Sequence, residues 1–257
     1  MNALISPHRS EAAEFTGLQQ AAAVLPKHLL RFLQTESARF FAQIVVPRPW
    51  HYAELHNPWS RAAAAFDSWG FLDICQSSTL IEKVAALIGP DIVLFDSQWL
   101  PDRWQMFDTD ATLESDAHRF PVDPPSGLTV LIGVADVPRG TVRVDYWASH
   151  LRPAQRANAS LDLEPGTALF LDSRVPYCVR VARDSSVPSA YVVRYFPATS
   201  HYSRDPAAPV HRALTKRYPL LNYARMPLWL VHGEDRADND FVTGFNARAG
   251  FWTNATW

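Results

Sequence analysis

Glu114, Asp116 and His118 alternate within the run Glu114-Ser-Asp116-Ala-His118-Arg-Phe120-Pro121. On a β-strand this spacing would aim all three side chains at one face, because successive Cβ atoms point to opposite sides. Two carboxyls and an imidazole on one face could bind a metal ion or divide acid and base roles between them. In a concave, dry site their mutual repulsion would raise one carboxyl's pKa, and His118 could complete an acid/base pair. The same residues also read as a solvated or hydrogen-bonded polar face.

Tyr177 could orient a ligand through its hydroxyl, or be a buried tyrosine with one hydrogen bond. Arg174, Arg180 and Arg194 could each contact a carboxylate or form a surface ion pair. His150, at the end of an expected hairpin, reads as a turn or packing residue. Cys75 and Cys178 have neither zinc nor disulfide spacing and read as buried thiols. Some of the nine tryptophans could wall a pocket for a flat or apolar substrate, though core packing is their default role. No G-x-S-x-G, Walker A, dinucleotide-glycine or H-E-x-x-H pattern occurs, so serine hydrolase, P-loop and zincin chemistry have no support.

These residues need elements to position them. Residues 21–44 carry Leu25, Leu29, Leu33, Phe40 and Phe41 at helical intervals, and 77–88 repeat the pattern with Leu80, Val84, Leu87 and Ile88. Gly89-Pro90 stops the second helix. Beyond it the texture changes to short apolar runs separated by turn residues: 92–95, 128–134, 141–145, 168–171, 178–181 and 190–196, all read as strands. The run at 128–134 is apolar at nearly every position, which suits a strand covered on both faces, with the N-terminal helices as the cover. The expected organisation is a single domain over 1–257. It comprises a helical part (1–90), a β core (91–198) and a packed C-terminal extension (199–257).

Hydrophobic residues at 47% and charged residues at 19% are those of a globular protein with a sizeable core. A formal charge of −2 without any basic run gives no reason to expect nucleic acid. Nothing approaches the roughly 18 consecutive apolar residues that would span a bilayer, and residues 1–16 lack a secretory pattern. The chain is expected to be soluble and cytoplasmic, acting on a small molecule, alone or as a homo- or hetero-oligomer.

Four segments, taken in order, resemble the phytanoyl-CoA dioxygenase family. They are the Glu114–Pro121 run, Gly127-Leu-Thr-Val-Leu-Ile-Gly-Val, Leu163-Glu-Pro-Gly-Thr-Ala-Leu-Phe-Leu-Asp-Ser-Arg174 and Val192-Val-Arg-Tyr-Phe196. Ala148-Ser149-His150 matches the family's Gly-Ser-His hairpin end. The resemblance covers roughly residues 81–198. It implies a double-stranded β-helix, a cupin-like jelly roll covered by N-terminal helices. The mouth of that fold holds a non-haem Fe(II) on two His and one carboxylate, with 2-oxoglutarate beside it.

Anchored on Phe120-Pro121, the resemblance puts the family's first His at Glu114, its carboxylate at Asp116 and its distal His at Tyr177. The 2-oxoglutarate arginine falls near Ser189. Arg194 is close by, but regular pairing would put it on the opposite strand face. Only Asp116 is retained as a metal ligand. The resemblance therefore implies an oxygenase-fold protein whose Fe(II) and 2-oxoglutarate ligands are largely lost. Such a protein would bind a small molecule or work non-oxidatively through Glu114, Asp116, His118 and Tyr177, with no cofactor. An alternative is an active Fe(II)/2-oxoglutarate hydroxylase that keeps Asp116 and recruits Glu114, His118 or Tyr177 as unusual ligands. A second alternative is a non-catalytic partner subunit of an active relative.

Overall fold

A computed structural model describes residues 17–44, 48–100, 113–134, 142–147, 159–181, 190–217, 222–241, 245–246 and 251–252. In chain order the elements are β1 (Leu18–Ala21), α1 (Lys27–Gln43), α2 (Ser68–Cys75), α3 (Ser78–Ile88), β2 (Ile92–Leu100), β3 (Val122–Asp123) and β4 (Leu128–Gly133). There follow β5 (Val142–Tyr146), β6 (Ala159–Asp162), β7 (Ala168–Asp172), β8 (Tyr177–Val181), β9 (Ala190–Pro197), β10 (His201–Tyr202), α4 (Pro209–Arg217) and β11 (Trp229–His232).

One helix begins later than its apolar spacing suggests. α1 starts only after Pro26, whose ring leaves no N–H for a helix interior and disfavours helical geometry in the residue before it. The segment upstream, Leu18–Ala21, is instead a strand paired antiparallel with Leu171–Ala168. α2 is capped by Asp67, whose carboxylate accepts the Gly70 backbone N–H at 3.2 Å. α3 ends at Gly89, with φ at 93° and its N–H on the Ala85 carbonyl.

The larger sheets among the described residues are both antiparallel, ordered β1-β7-β4-β9-β2-β11 and β6-β5-β8, and β3 pairs with β10 in a separate two-stranded sheet. Alternation along the central strands explains their unbroken apolar runs. Val130, Ile132, Phe170, Tyr191 and Val193 pack outward against Leu33, Phe40, Phe71, Leu80 and Val84 of the helical layer. Leu131, Leu169, Leu171 and Val192 pack inward against Val142, Val144, Tyr177 and Val179 of the smaller sheet. A further cluster, with Val93, Phe95 and Phe196 from the large sheet and Phe120, Tyr202, Tyr223, Met226 and Leu228 from later segments, fills the other end of that inner face. Tyr202, Tyr223, Met226 and Leu228 of the C-terminal segment thus pack into the core, and the segment adds β11 to the sheet edge.

The Pro165-Gly166 turn has a specific seat. Gly133 pairs with Pro165 across an isolated bridge, and its carbonyl accepts the Gly166 N–H at 2.9 Å. A Cβ on Gly133 would lie 2.1 Å from the Glu164 carbonyl oxygen, so this approach requires glycine. The architecture is the jelly roll expected from the sequence, with helices against one face. Among the described residues, no helix is long and apolar enough to cross a membrane.

Candidate functional site

Glu114 and Tyr177 face each other across an isolated antiparallel bridge and exchange both backbone hydrogen bonds, at 3.1 and 3.0 Å. The expected strand does not continue past them. Residues Asp116–Arg119 coil into a 3₁₀ turn, which breaks the period-two alternation. Asp116 is consequently buried, while Glu114 and His118 are exposed. The three do not share a face, which corrects the strand reading of this segment.

The turn drives Asp116 into the space between the sheets. Its Oδ2 accepts from the Thr129 hydroxyl at 2.8 Å, the Tyr177 hydroxyl at 2.9 Å and Arg194 Nε at 2.8 Å. Its Oδ1 lies 2.9 Å from Arg119 Nε. Arg194 is 2% exposed and bonded in turn: Nη1 donates to Gln98 Oε1 at 2.8 Å and lies 3.4 Å from Asp96 Oδ2. Arg194 lies on the site face of β9, while Ser189, from which its face was expected to differ, lies outside the described residues. Arg194 pairs with Thr129 on β4 and with Asp96 on β2, and all three side chains lie on the inner face.

Asp96 reaches that face through an irregularity in β2. Leu94 pairs with Tyr195 and Asp96 with Arg194, which leaves Phe95 as an extra residue. The bulge turns both Phe95 and Asp96 inward, the first into the apolar plug and the second onto the guanidinium. Glu54, buried and at a positive φ of 53°, donates its backbone N–H to Asp96 Oδ1 at 3.3 Å. At the outer end Glu114 Oε2 lies 3.6 Å from Arg119 Nη2. Charges alternate along the line Glu114, Arg119, Asp116, Arg194, Asp96.

The protonation states follow from this order. Burial alone would raise the Asp116 carboxyl, but Arg194 and Arg119 together hold it well below the usual carboxylate range. Asp96 is pushed by burial up to about 6 in spite of Arg194, and burial with the neighbouring Asp96 pushes Glu54 up to about 8. Burial and the Asp116 charge raise the Tyr177 hydroxyl, so its proton stays on oxygen and donates to Asp116.

The donor set does not fit the iron and oxoacid pair that such a fold can hold. Asp116 accepts hydrogen bonds from two hydroxyls and Arg194 and lies against Arg119, and the two guanidinia are cations, which would repel a divalent ion. No group of three His, Cys, Asp or Glu among the described residues could hold a metal ion. Arg194 is committed to Asp116, Asp96 and Gln98, so the guanidinium that could pair with an oxoacid already has its carboxylates. Ser189 and the Ala148–His150 segment lie outside the described residues.

The other sequence candidates resolve simply. Arg174 and Arg180 form exposed ion pairs with Asp172 and Asp145, at 2.7 and 2.6 Å. Cys75 and Cys178 are buried and not joined in a disulfide, and Trp99 is a core residue against Phe71 and Tyr191. Sequence reasoning missed Asp96, Gln98, Thr129, Arg119 and Glu54. The polar Asp96-Ser97-Gln98 step inside an otherwise apolar strand was the available signal for two of them.

No protein-family model and no curated protein matches the chain. Solved structures do. CytC3 aligns with a TM-score of 0.59 at 14% identity over 98% of both chains. The non-heme monooxygenase ThoJ, as its Ni complex, aligns at 0.56 and 16% identity over 85% of this chain and 81% of its own. The non-heme alpha ketoglutarate dependent epimerase SnoN, from nogalamycin biosynthesis, aligns at 0.54 and 18% identity over 77% and 83%. At these identities the likeness is one of fold. The chain shares the jelly-roll fold of these proteins, among them CytC3, solved with Fe(II) and alpha-ketoglutarate.

Proposed function

We propose that this chain is a phytanoyl-CoA-dioxygenase-like protein that works without iron or 2-oxoglutarate, binding a small organic molecule through the polar rim outside Asp116. The observation that carries this reading is the ion pair between Arg194 Nε and Asp116 Oδ2, 2.8 Å long, with both side chains 2% exposed. Oδ2 of this carboxylate already accepts from one guanidinium and two hydroxyls, and a second guanidinium lies at Oδ1, so its charge is matched by protein groups and not by a metal. Glu114 and His118, exposed on the same segment, would supply the polar contacts or acid/base groups for the ligand. A small molecule is the favoured partner class because a structure of the similarly folded SnoN is a complex with Fe3+, alpha ketoglutarate and nogalamycin RO, and because this chain has no basic run suited to nucleic acid.

The test is calorimetric titration of Fe(II) into anaerobic, chelator-stripped protein, with and without 2-oxoglutarate. No heat of binding is expected up to near-millimolar metal. Tight stoichiometric binding strengthened by 2-oxoglutarate would overturn the reading and make the chain an oxygenase with an unusual ligand set.

A further inference from the structure

The buried polar layer links parts of the chain that are far apart in sequence. Asp116 comes from the 3₁₀ turn, Thr129 from β4, Tyr177 from β8, Arg194 from β9, Asp96 and Gln98 from β2, and Glu54 from the segment that runs beside β2. On the inner sheet face the Phe196–Val93 pair lies to one side of the Arg194 row, and the Val192–Gln98 pair beside Leu131 lies to the other. The layer is thus enclosed between two apolar clusters. A charge in such a place must be matched by neighbouring protein groups.

The oxygens around Arg194 match a planar donor and not a point charge. Nε meets Asp116 on one edge of the guanidinium, and Nη1 meets Gln98 and Asp96 on another. The uncharged Gln98 amide oxygen suits an N–H donor at 2.8 Å. Thr129 and Tyr177 donate hydroxyl protons to Asp116 Oδ2, the same oxygen that Arg194 Nε meets, and so fix that oxygen in place. An ammonium would reach one of these oxygens without reproducing the fork.

We propose that Asp116, Asp96 and Gln98 form a cation cage whose resident is the chain's own Arg194 guanidinium. The cage, once emptied, takes a free guanidinium ion in preference to sodium or a divalent metal. The positive charge at the centre of the jelly roll is then covalently built in, and Arg194 is a positioning residue that ties the Asp116 turn to β2 and β9. This deepens the metal-independent reading, but its primary readout involves no iron, so the two can fail separately.

The test is thermal unfolding of full-length Arg194→Ala in guanidinium chloride at tens of millimolar, with sodium chloride at equal ionic strength as control. The variant is expected to lose on the order of 10 °C and to regain a substantial part of that loss with guanidinium, saturably. Wild type should gain nothing, and the rescue should vanish in Arg194→Ala/Asp116→Asn. Equal effects of sodium and guanidinium, or a rise with Mn(II) and none with guanidinium, would overturn the proposal. Should Arg194→Ala not fold, Arg194→Lys decides. A clear loss of Tm despite the kept charge supports the fork, and wild-type stability in the lysine variant refutes it.

Discussion

Glu54 and Asp96 are both buried, with the backbone N–H of Glu54 on Asp96 Oδ1 at 3.3 Å, a setting in which like charges are poorly screened. Each carboxyl titrates higher in the fold than its ordinary value: Glu54 moves from 4.5 to about 8 and Asp96 from 3.8 to about 6. The folded chain therefore holds protons that the unfolded chain releases. Stability from these groups is fully present below the unfolded values and is lost as pH rises through the folded ones. Thermal midpoints should fall between pH 5 and pH 9. Glu54→Gln should flatten the upper part of that fall and stabilise the protein at pH 9 by on the order of 2 kcal/mol. A variant that tracks wild type at both ends of the range would remove Glu54 from the account.

Asp116 titrates in the opposite sense. Its folded pKa is depressed by Arg194 and Arg119 against the pull of burial, so its contribution is present above the unfolded value of 3.8 and disappears as pH falls through the folded one. Asp116→Asn keeps the shape but leaves two buried guanidinia without their common anion. The expected loss is about 3–5 kcal/mol at neutral pH, measured by urea unfolding, and it should shrink below pH 3. A loss under about 1 kcal/mol would mean that the layer does not depend on this charge.

Much of the fold could be read from the sequence because burial on both faces leaves a plain mark. The run at 128–134 and the strand around Val192 are apolar at almost every residue since one side meets helices and the other meets the second sheet. β1 left no such mark: Leu18–Ala21 contains Gln19 and Gln20 and sits at a sheet edge. The site was legible only in part. The Phe120-Pro121 anchor singled out Glu114, Asp116 and Tyr177, and the fold sets Tyr177 against Glu114 across a bridge and against Asp116 through its hydroxyl. What coils Asp116 inward, and what turns Asp96 toward Arg194, are a 3₁₀ turn and a bulge. Both break the period-two rule on which strand reading rests.

Tyr177 offers a test of the hydroxyl side of the layer. Its O–H donates to a charged oxygen at 2.9 Å in a buried setting, where such bonds are worth about 1.5–3 kcal/mol. Tyr177→Phe should lose that amount in denaturant unfolding without a change in m-value. Its loss should be non-additive with Asp116→Asn, since both remove the same bond. Strict additivity in the double variant would show that the hydroxyl acts elsewhere.

The close approach at Gly133 should be intolerant of any side chain. Gly133→Ala would place a methyl 2.1 Å from the Glu164 carbonyl, a backbone atom that cannot swing aside. The Pro165-Gly166 turn would have to shift and give up the Gly166 N–H bond to Gly133. Such overpacking destabilises by about 1–3 kcal/mol, and a lost hydrogen bond adds about 1 kcal/mol. Wild-type stability in Gly133→Ala would mean that the turn does not seat as described.

Gain of metal binding is the most demanding prediction, because it concerns a property the protein is proposed to lack. Histidines at the Glu114 and Tyr177 positions would give Asp116 two imidazole neighbours, the donor types suited to Fe(II). Glu114→His/Tyr177→His alone should still bind no iron, because Arg194 Nε remains 2.8 Å from Asp116 Oδ2 and a metal would have to displace a like charge. Adding Arg194→Ala frees Oδ2 of its cation and leaves Arg119 only at Oδ1, and anaerobic Fe(II) calorimetry should then show binding in the triple variant only. Binding in the double variant would mean that Arg194 yields to metal, and the ion pair would no longer explain a metal-free site. No binding in a folded triple variant would instead count against Glu114 and Tyr177 as the ligand positions.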